Sequence, residues 1–103
     1  MKVLSSNEFK EYIQNSKVPV LVDFFADWCG PCQMLTPVLK QLAEEVDGKY
    51  DIVKVDIDES EDIATELGIT SIPTLITYKN GEIADRMAGF QSKDAILAKL
   101  ESL

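Results

Sequence analysis

The feature that most constrains the fold is an almost uninterrupted apolar run, Val18–Phe25, followed directly by a long amphipathic segment. A strand without polar alternation is typical of a sheet that is covered on both faces. After this run, apolar residues recur about every four positions from Met34 to Val46, which predicts a helix. Ile52–Ile57 is a second strand of the buried kind. A buried strand, a helix and another buried strand predict an α/β fold with a parallel pair of strands.

The last third of the chain predicts an antiparallel hairpin. Thr74–Lys79 and Glu82–Ala88 are predicted strands, and Asn80-Gly81 between them is the strongest short hairpin signal. A hairpin added to parallel strands gives a mixed sheet. With 103 residues, 46% of them hydrophobic, the chain suffices for one core and is too short for two. Residues 1–103 are therefore expected to form a single domain.

Serines and glycines mark where the helices are expected to begin and end. A serine accepts a hydrogen bond at a helix N-cap, and a glycine adopts the left-handed conformation that follows many last turns. The predicted starts are Ser5 (with Glu8 at capping-box spacing), Ser60 and Ser92, and the predicted ends are Gly48 and Gly68.

The charge of the chain is concentrated in one segment. The net charge is −8, and Glu44–Glu66 alone holds ten acidic residues against two lysines. This segment is either a solvated acidic face or a surface that steers a partner. Nucleic acids and anionic membranes are bound by basic surfaces, so neither is expected as a partner.

Several catalytic classes are excluded by composition. The chain has no histidine, which removes Ser–His–Asp and Cys–His catalysis and the commonest transition-metal ligand. Two cysteines cannot complete a closed four-ligand zinc site within one chain, and the five glycines do not form a dinucleotide-binding fingerprint. We therefore expect neither a metal nor a bound cofactor.

The two cysteines, Cys29 and Cys32, lie where the buried strand gives way to the long helix. A helix N-terminus stabilises a thiolate, and helical spacing brings the two sulfurs within reach of each other. A structural disulfide over so short a loop contributes only about 2 kcal/mol. The chain has no signal-type apolar stretch, so a reducing cytoplasm is expected, where such pairs are more often catalytic than structural. Redox function is favoured over a structural staple or half of a metal site.

Two charged residues interrupt the buried strands. Asp23 has apolar neighbours on both sides, and desolvation there raises the pKa of a carboxyl group. The alternative is an acid at a strand end that reaches solvent or caps a helix. Lys54 lies within the second buried strand, where its side chain either contributes to catalysis or extends outward to water.

The segment Asp23–Cys32, together with Ile72-Pro73-Thr74 and Ala88-Gly89, resembles the thioredoxin family, at matching spacings over the whole chain. The resemblance implies a thioredoxin fold, with a central mixed five-stranded sheet flanked by four helices. It also implies a protein-disulfide reductase that acts as an electron carrier on disulfide-containing proteins and is recycled by a separate thioredoxin reductase. Phe25 and Ser71 depart from the residues of many members, which have Trp and Gly there.

The resemblance also implies a role for each site residue. Cys29 would be the attacking thiolate and Cys32 the thiol that resolves the mixed disulfide. Asp23 would be the buried proton acceptor for Cys32, with Lys54 nearby. The Ile72–Pro73 bond would be cis and would lie against the cysteines. The residues expected to dock substrates form an apolar patch: Trp28, Gly30, Pro31, Ile72, Pro73, Ala88 and Gly89.

Two other functions compete with this one. An oxidase or isomerase uses the same fold, but Gly30-Pro31 between the cysteines and the absence of a signal-type segment favour a reductase. A binding module that uses the fold without turnover is the alternative from another class. The expected protein is a cytoplasmic monomer.

Overall fold

The computed structural model describes residues 1–103 and contains five strands and four helices. The strands are β1 (Lys2–Val3), β2 (Val20–Phe25), β3 (Asp51–Asp56), β4 (Thr74–Lys79) and β5 (Glu82–Ala88). The helices are α1 (Ser6–Asn15), α2 (Gly30–Glu45), α3 (Glu61–Glu66) and α4 (Lys93–Glu101). None of the helices is both long and apolar enough to cross a membrane.

The strands form one mixed sheet in the order β1-β3-β2-β4-β5. Strands β1, β3 and β2 are parallel to one another, whereas β4 is antiparallel to both β2 and β5. Strand β2 is therefore central and has hydrogen-bonded neighbours on both sides. This confirms the predicted mixed sheet with four helices.

The sheet separates two hydrophobic cores, because successive side chains of a strand point to opposite faces. One core joins the sheet to α1 and α3 and the other joins it to α2 and α4. The first core contains Leu4, Phe9, Ile13, Val20, Val22, Phe24, Val53, Val55, Ile63, Ile76 and Tyr78. The second contains Leu21, Leu35, Leu39, Leu42, Val46, Ile52, Leu75, Met87, Ile96 and Leu100.

Most predicted strands are found within two residues of their expected limits. The hairpin is confirmed, with Asn80 at φ 55° and Gly81 at φ 81°, the left-handed conformations that such a turn requires. Strand β2 starts two residues later than predicted, and β3 is displaced by one residue. Strand β1 was not predicted from the pattern, since two exposed residues have no periodicity to detect.

The predicted helix boundaries are confirmed at some positions and wrong at others. The backbone N–H of Ser5 donates to Glu8 Oε1 at 2.9 Å, as the capping-box spacing indicates. The prediction that Gly48 ends α2 is wrong. The helix closes at Val46, whose N–H donates to Leu42, and Gly48 (φ 85°) lies in the following turn. Val46 is held there by burial in the second core.

Ser60 and Ser92 both stand at N-caps but differ in their contacts. The hydroxyl of Ser92 accepts from the N–H of Ala95 at 3.1 Å. The hydroxyl of Ser60 is buried and has no hydrogen-bond partner. A serine at the N-cap position therefore does not always make the capping hydrogen bond: Ser92 makes it and Ser60 does not.

Ser92→Ala is expected to lower the free energy of unfolding by about 1 kcal/mol, because it removes a hydrogen bond to an unpaired helix N–H. Ser60→Ala is the matched control and should be neutral or slightly stabilising, since it removes an unpaired buried hydroxyl. Urea unfolding of both variants measures this. An equal loss in both would contradict the assignment of the cap to Ser92.

Candidate redox site

The two cysteines lie at the N-terminus of α2, where β2 has just ended. Cys29 is the N-cap residue, and Pro31 lies in the first turn, where its missing N–H costs no helical hydrogen bond. The backbone N–H of Cys32 donates to Cys29 Sγ at 3.2 Å. The two sulfurs lie at disulfide-bonding distance, with the Cα atoms 5.2 Å apart. The pair is therefore closed into a ring on the first turn of the helix.

Depth below the surface hardly distinguishes the two cysteines, because Cys29 is 5% and Cys32 2% exposed. Their electrostatic positions do differ. Cys29 Sγ accepts an N–H from the positive end of the helix, whereas Cys32 is one turn further inside. A negative charge is thus stabilised more on Cys29 than on Cys32.

Two loops meet the cysteines at the same end of the sheet, because the start of β4 pairs with the end of β2 and with the end of β5. The Ile72–Pro73 peptide bond is cis. The carbonyl oxygen of Ile72 lies 3.8 Å from Cys29 Sγ, and the N–H of Gly89 donates to the carbonyl of Pro73 at 2.8 Å. The structure therefore brings together three segments that are far apart in sequence.

The residues predicted to dock substrates differ in exposure. Trp28, Gly30, Pro31 and Ala88 are exposed, Ile72 and Gly89 are half-buried, and Pro73 is buried. Pro73 therefore contributes to the shape of the loop more than to its surface. The large ring of Trp28 is 70% exposed beside the cysteines.

Asp58 was not singled out in the sequence, yet its Oδ2 accepts from the indole Nε1 of Trp28 at 2.8 Å. It follows the end of β3, and the carboxyl ends of parallel β2 and β3 lie at the same edge of the sheet. The predicted parallel pair of strands could have indicated that residues after both strands meet, but it does not specify the contact between Trp28 and Asp58.

Asp23 lies inside β2 and is completely buried. Its side chain shares a face with Leu21, toward α2, and neither carboxyl oxygen has a hydrogen-bond partner. Burial raises the pKa of Asp23 to about 6, and the nearby charge of Lys54 opposes this rise. The carboxyl group is not at a strand end, so the solvent-reaching alternative does not describe it.

Lys54 is the register neighbour of Asp23 on β3, and the parallel pairing brings the two side chains to the same face. Its Nζ lies 4.0 Å from Asp23 Oδ2 and 4.3 Å from the centre of the Phe25 ring. The side chain is only 12% exposed, so it lies across the site and does not extend into solvent.

Lys54 and Cys32 line one small cavity of about 110 Å³. Its other lining residues are Phe25, Ala26, Asp27, Gln33 and Thr36. Asp23 does not line this cavity, but its neighbour Lys54 does. The cavity therefore places the sulfur-bearing residue Cys32 and the ammonium-bearing residue Lys54 along one space.

The fold and the cysteine geometry agree with the comparison to known families, in which the model of the Thioredoxin family matches residues 1–102. The chain belongs to the thioredoxin family. Named thioredoxins are thiol–disulfide oxidoreductases, and this member has their cysteine pair at bonding distance. It is a dithiol–disulfide oxidoreductase whose redox-active residues are Cys29 and Cys32.

Similar thioredoxins come from bacteria of different genera. The chain is 46% identical to the thioredoxin of Rickettsia felis over 94 residues, which cover 91% of this chain and 90% of the relative. It is 48% identical to the thioredoxin of Staphylococcus haemolyticus over 101 residues, covering 98% and 94%.

A solved structure resembles this family member over its full length. Its TM-score is 0.90 at 32% identity, covering 100% of this chain and 95% of the other. It comes from a study of thiol resolution in yeast mitochondrial 1-Cys peroxiredoxin via the glutathione and thioredoxin systems.

Asp23→Asn is expected to raise the free energy of unfolding at pH 7. The folded pKa of about 6 exceeds the ordinary 3.8, so the native state holds a proton that the unfolded state releases. The titration of Asp23 therefore lowers the free energy of unfolding as the pH rises from about 4 to 6, and its effect stays constant above pH 6. At about 1.4 kcal/mol for each tenfold change in proton affinity, the gain is at most about 3 kcal/mol.

Urea unfolding of Asp23→Asn at pH 7 and at about pH 3.5 measures this gain. It should nearly disappear at the lower pH, where the carboxyl group is protonated in the native state and mostly protonated in the unfolded state. Asp47→Asn, an exposed acid beyond α2, is the control and should change the unfolding free energy by less than about 0.5 kcal/mol. A gain that is equal at both pH values would contradict the titration of Asp23 as its cause.

Proposed function

We propose that the protein reduces protein disulfides with Cys29 as the attacking thiolate and Cys32 as the resolving thiol. The observation that carries this assignment is the hydrogen bond from the Cys32 N–H to Cys29 Sγ at the start of α2. An N–H that points at one sulfur favours its anionic form over the neutral thiol. Cys32 Sγ receives no such hydrogen bond, so the two sulfurs differ in how well they stabilise a negative charge.

Reduction then proceeds in two exchanges. The Cys29 thiolate attacks one sulfur of the substrate disulfide, the substrate's other sulfur leaves as a thiolate, and a mixed disulfide forms. Cys32 loses its proton, and its thiolate attacks Cys29 Sγ. The second substrate sulfur leaves, and a Cys29–Cys32 disulfide remains. Two electrons pass from the pair to the substrate, whose thiolates take protons from water.

We assign the proton of Cys32 to the carboxylate of Asp23. A group with a pKa of about 6 is largely ionised at pH 7 and still basic enough to accept a proton transiently. Its burial and its empty hydrogen-bonding positions leave it free for that purpose. Lys54, 4.0 Å away, favours the ionised form that must be present before the exchange.

The substrate would dock between Trp28 and the Ile72-Pro73 turn. The carbonyl of Ile72 already faces Cys29, and a substrate segment in extended conformation would pair with this backbone. Gly30, Pro31, Ala88 and Gly89 provide small side chains around it. Backbone pairing and small residues select little among side chains, which suits many protein substrates.

The rest of the assignment follows the family. We propose that a separate thioredoxin reductase returns the two electrons, and that the chain acts in the cytoplasm as a single-domain monomer. The similar solved chain comes from work on peroxiredoxin thiol resolution via the glutathione and thioredoxin systems, which supports protein disulfides as substrates.

The two cysteines are expected to differ in reactivity. Iodoacetamide at pH 7 should alkylate Cys29 roughly tenfold faster than Cys32, because the end of a helix stabilises an anion by up to about 2 kcal/mol. Cys32→Ser should trap a mixed disulfide with a substrate protein, and Cys29→Ser should trap none. Peptide mass spectrometry follows both results. Equal labelling would overturn the assignment of roles, and trapping by Cys29→Ser in place of Cys32→Ser would reverse it.

Asp23→Asn should slow the second exchange by roughly 10- to 100-fold at pH 7. This factor is near or below the low end of the rate effects of general bases. A thiol is acidic enough for hydroxide to remove its proton as well, so the loss of the carboxylate is partly compensated. The deficit should shrink as the pH rises, because hydroxide then removes the thiol proton without help from the carboxylate. Single-turnover reduction of a disulfide peptide measures it, with Asp47→Asn as the control. Unchanged rates at pH 7 would remove Asp23 from the mechanism.

A further inference from the structure

The hydroxyl of Thr36 links Lys54 to the helix that carries the cysteines. Lys54 Nζ donates to Thr36 Oγ1 at 3.1 Å, and Thr36 Oγ1 donates to the carbonyl of Cys32 at 3.3 Å. A hydroxyl has one donor and two acceptor positions, so both bonds form together. We propose that Thr36 is a positioning residue, whose hydroxyl holds the Lys54 ammonium beside the Asp23 carboxylate.

Attraction to Asp23 alone does not fix Lys54. Their closest atoms are 4.0 Å apart, which is longer than a hydrogen bond. A lysine side chain has about 2 kcal/mol of rotamer entropy, and its ammonium is strongly hydrated. The ring of Phe25, 4.3 Å from Nζ, attracts the charge without directing it. The bond to Thr36 is the one directional contact of this ammonium.

The hydroxyl of Thr36 is itself held in place. A threonine within a helix commonly bonds back to the carbonyl four residues earlier, and here that carbonyl belongs to Cys32. Such a bond uses the proton of the hydroxyl and directs its lone pairs away from the helix. Lys54 binds one of them. A local helical bond therefore orients the acceptor that receives the lysine.

Asp23 is surrounded by few charges that could replace Lys54. Leu75, its neighbour on β4, is apolar. The cavity is lined by two other titratable side chains, the thiol of Cys32 and the carboxyl group of Asp27, and neither can supply a positive charge. Lys54 opposes the effect of burial on the pKa of Asp23. Its position therefore sets how much of the carboxyl group is ionised near neutral pH.

This inference rests on the proposed role of Asp23 as a proton acceptor, and its test uses the intact protein. Thr36→Val keeps the shape and removes the hydroxyl, whereas Thr36→Ser keeps the hydroxyl. NMR titration of the Asp23 carboxyl and single-turnover reduction of a disulfide peptide between pH 5 and 9 are measured for both. Thr65→Val on α3, an exposed threonine, is the matched control.

Thr36→Val is expected to raise the pKa of Asp23 and to slow the second exchange roughly fivefold near pH 6, the fold-change that one ordinary hydrogen bond represents. The loss should fade above about pH 8, where Asp23 is ionised in either protein. Thr36→Ser and Thr65→Val should behave as the unchanged protein does. Thr36→Ala also removes the hydroxyl and should show the same effects, so it replaces Thr36→Val if the valine disturbs the helix.

The effect must also pass through Lys54. In a Lys54→Gln background, Thr36→Val should change neither the titration nor the rate, because no ammonium remains to be held. An unshifted titration in Thr36→Val, or a full effect without Lys54, would overturn the inference. If Asp23→Asn slows the exchange and Thr36→Val does not, the role of Thr36 fails alone. If Asp23→Asn has no effect, the proton acceptor itself is wrong.

Discussion

Strand β2 is covered on both faces and paired on both edges, and the other elements are arranged around it. Its even-numbered residues pack toward α1 and α3, and its odd-numbered residues pack toward α2 and α4. The strand then passes through a short loop into α2, which leaves that helix with its positive end beside the cysteines. The burial of Asp23 and the position of Cys29 at a helix N-terminus are therefore consequences of one buried strand and the helix that follows it.

The same strand contains the main conflict between stability and chemistry. Asp23 occupies a position of the second core where an apolar side chain would pack, and its oxygens have no hydrogen-bond partner. Lys54 offsets part of the cost of burial from a position at the edge of a small cavity.

Sequence was informative where one physical rule decides the outcome. Apolar runs predicted β2 and β3. The residues Asn80-Gly81 predicted a turn that requires positive φ, and helical spacing predicted that the sulfurs of Cys29 and Cys32 lie within reach of each other. The sequence was less informative where contacts between distant segments determine the local structure. Strand β1 is ordered by pairing with β3, and Val46, not Gly48, closes α2 because the core holds it. The contacts Trp28–Asp58 and Lys54–Thr36 depend on strand register, which local patterns do not specify.

The division of the molecule into two cores also bears on how such a chain can diverge. The cysteines, Asp23 and Lys54 all lie on the α2 side or at the edge of the sheet, and α1 and α3 pack against the opposite face. A substitution in α1 or α3 reaches the redox pair through the hydrogen-bonded strands or through Ile57, which packs against both the first core and the cysteines. Selection can therefore reshape that outer face, and with it solubility or thermal tolerance, while the electron-transfer chemistry is inherited unchanged.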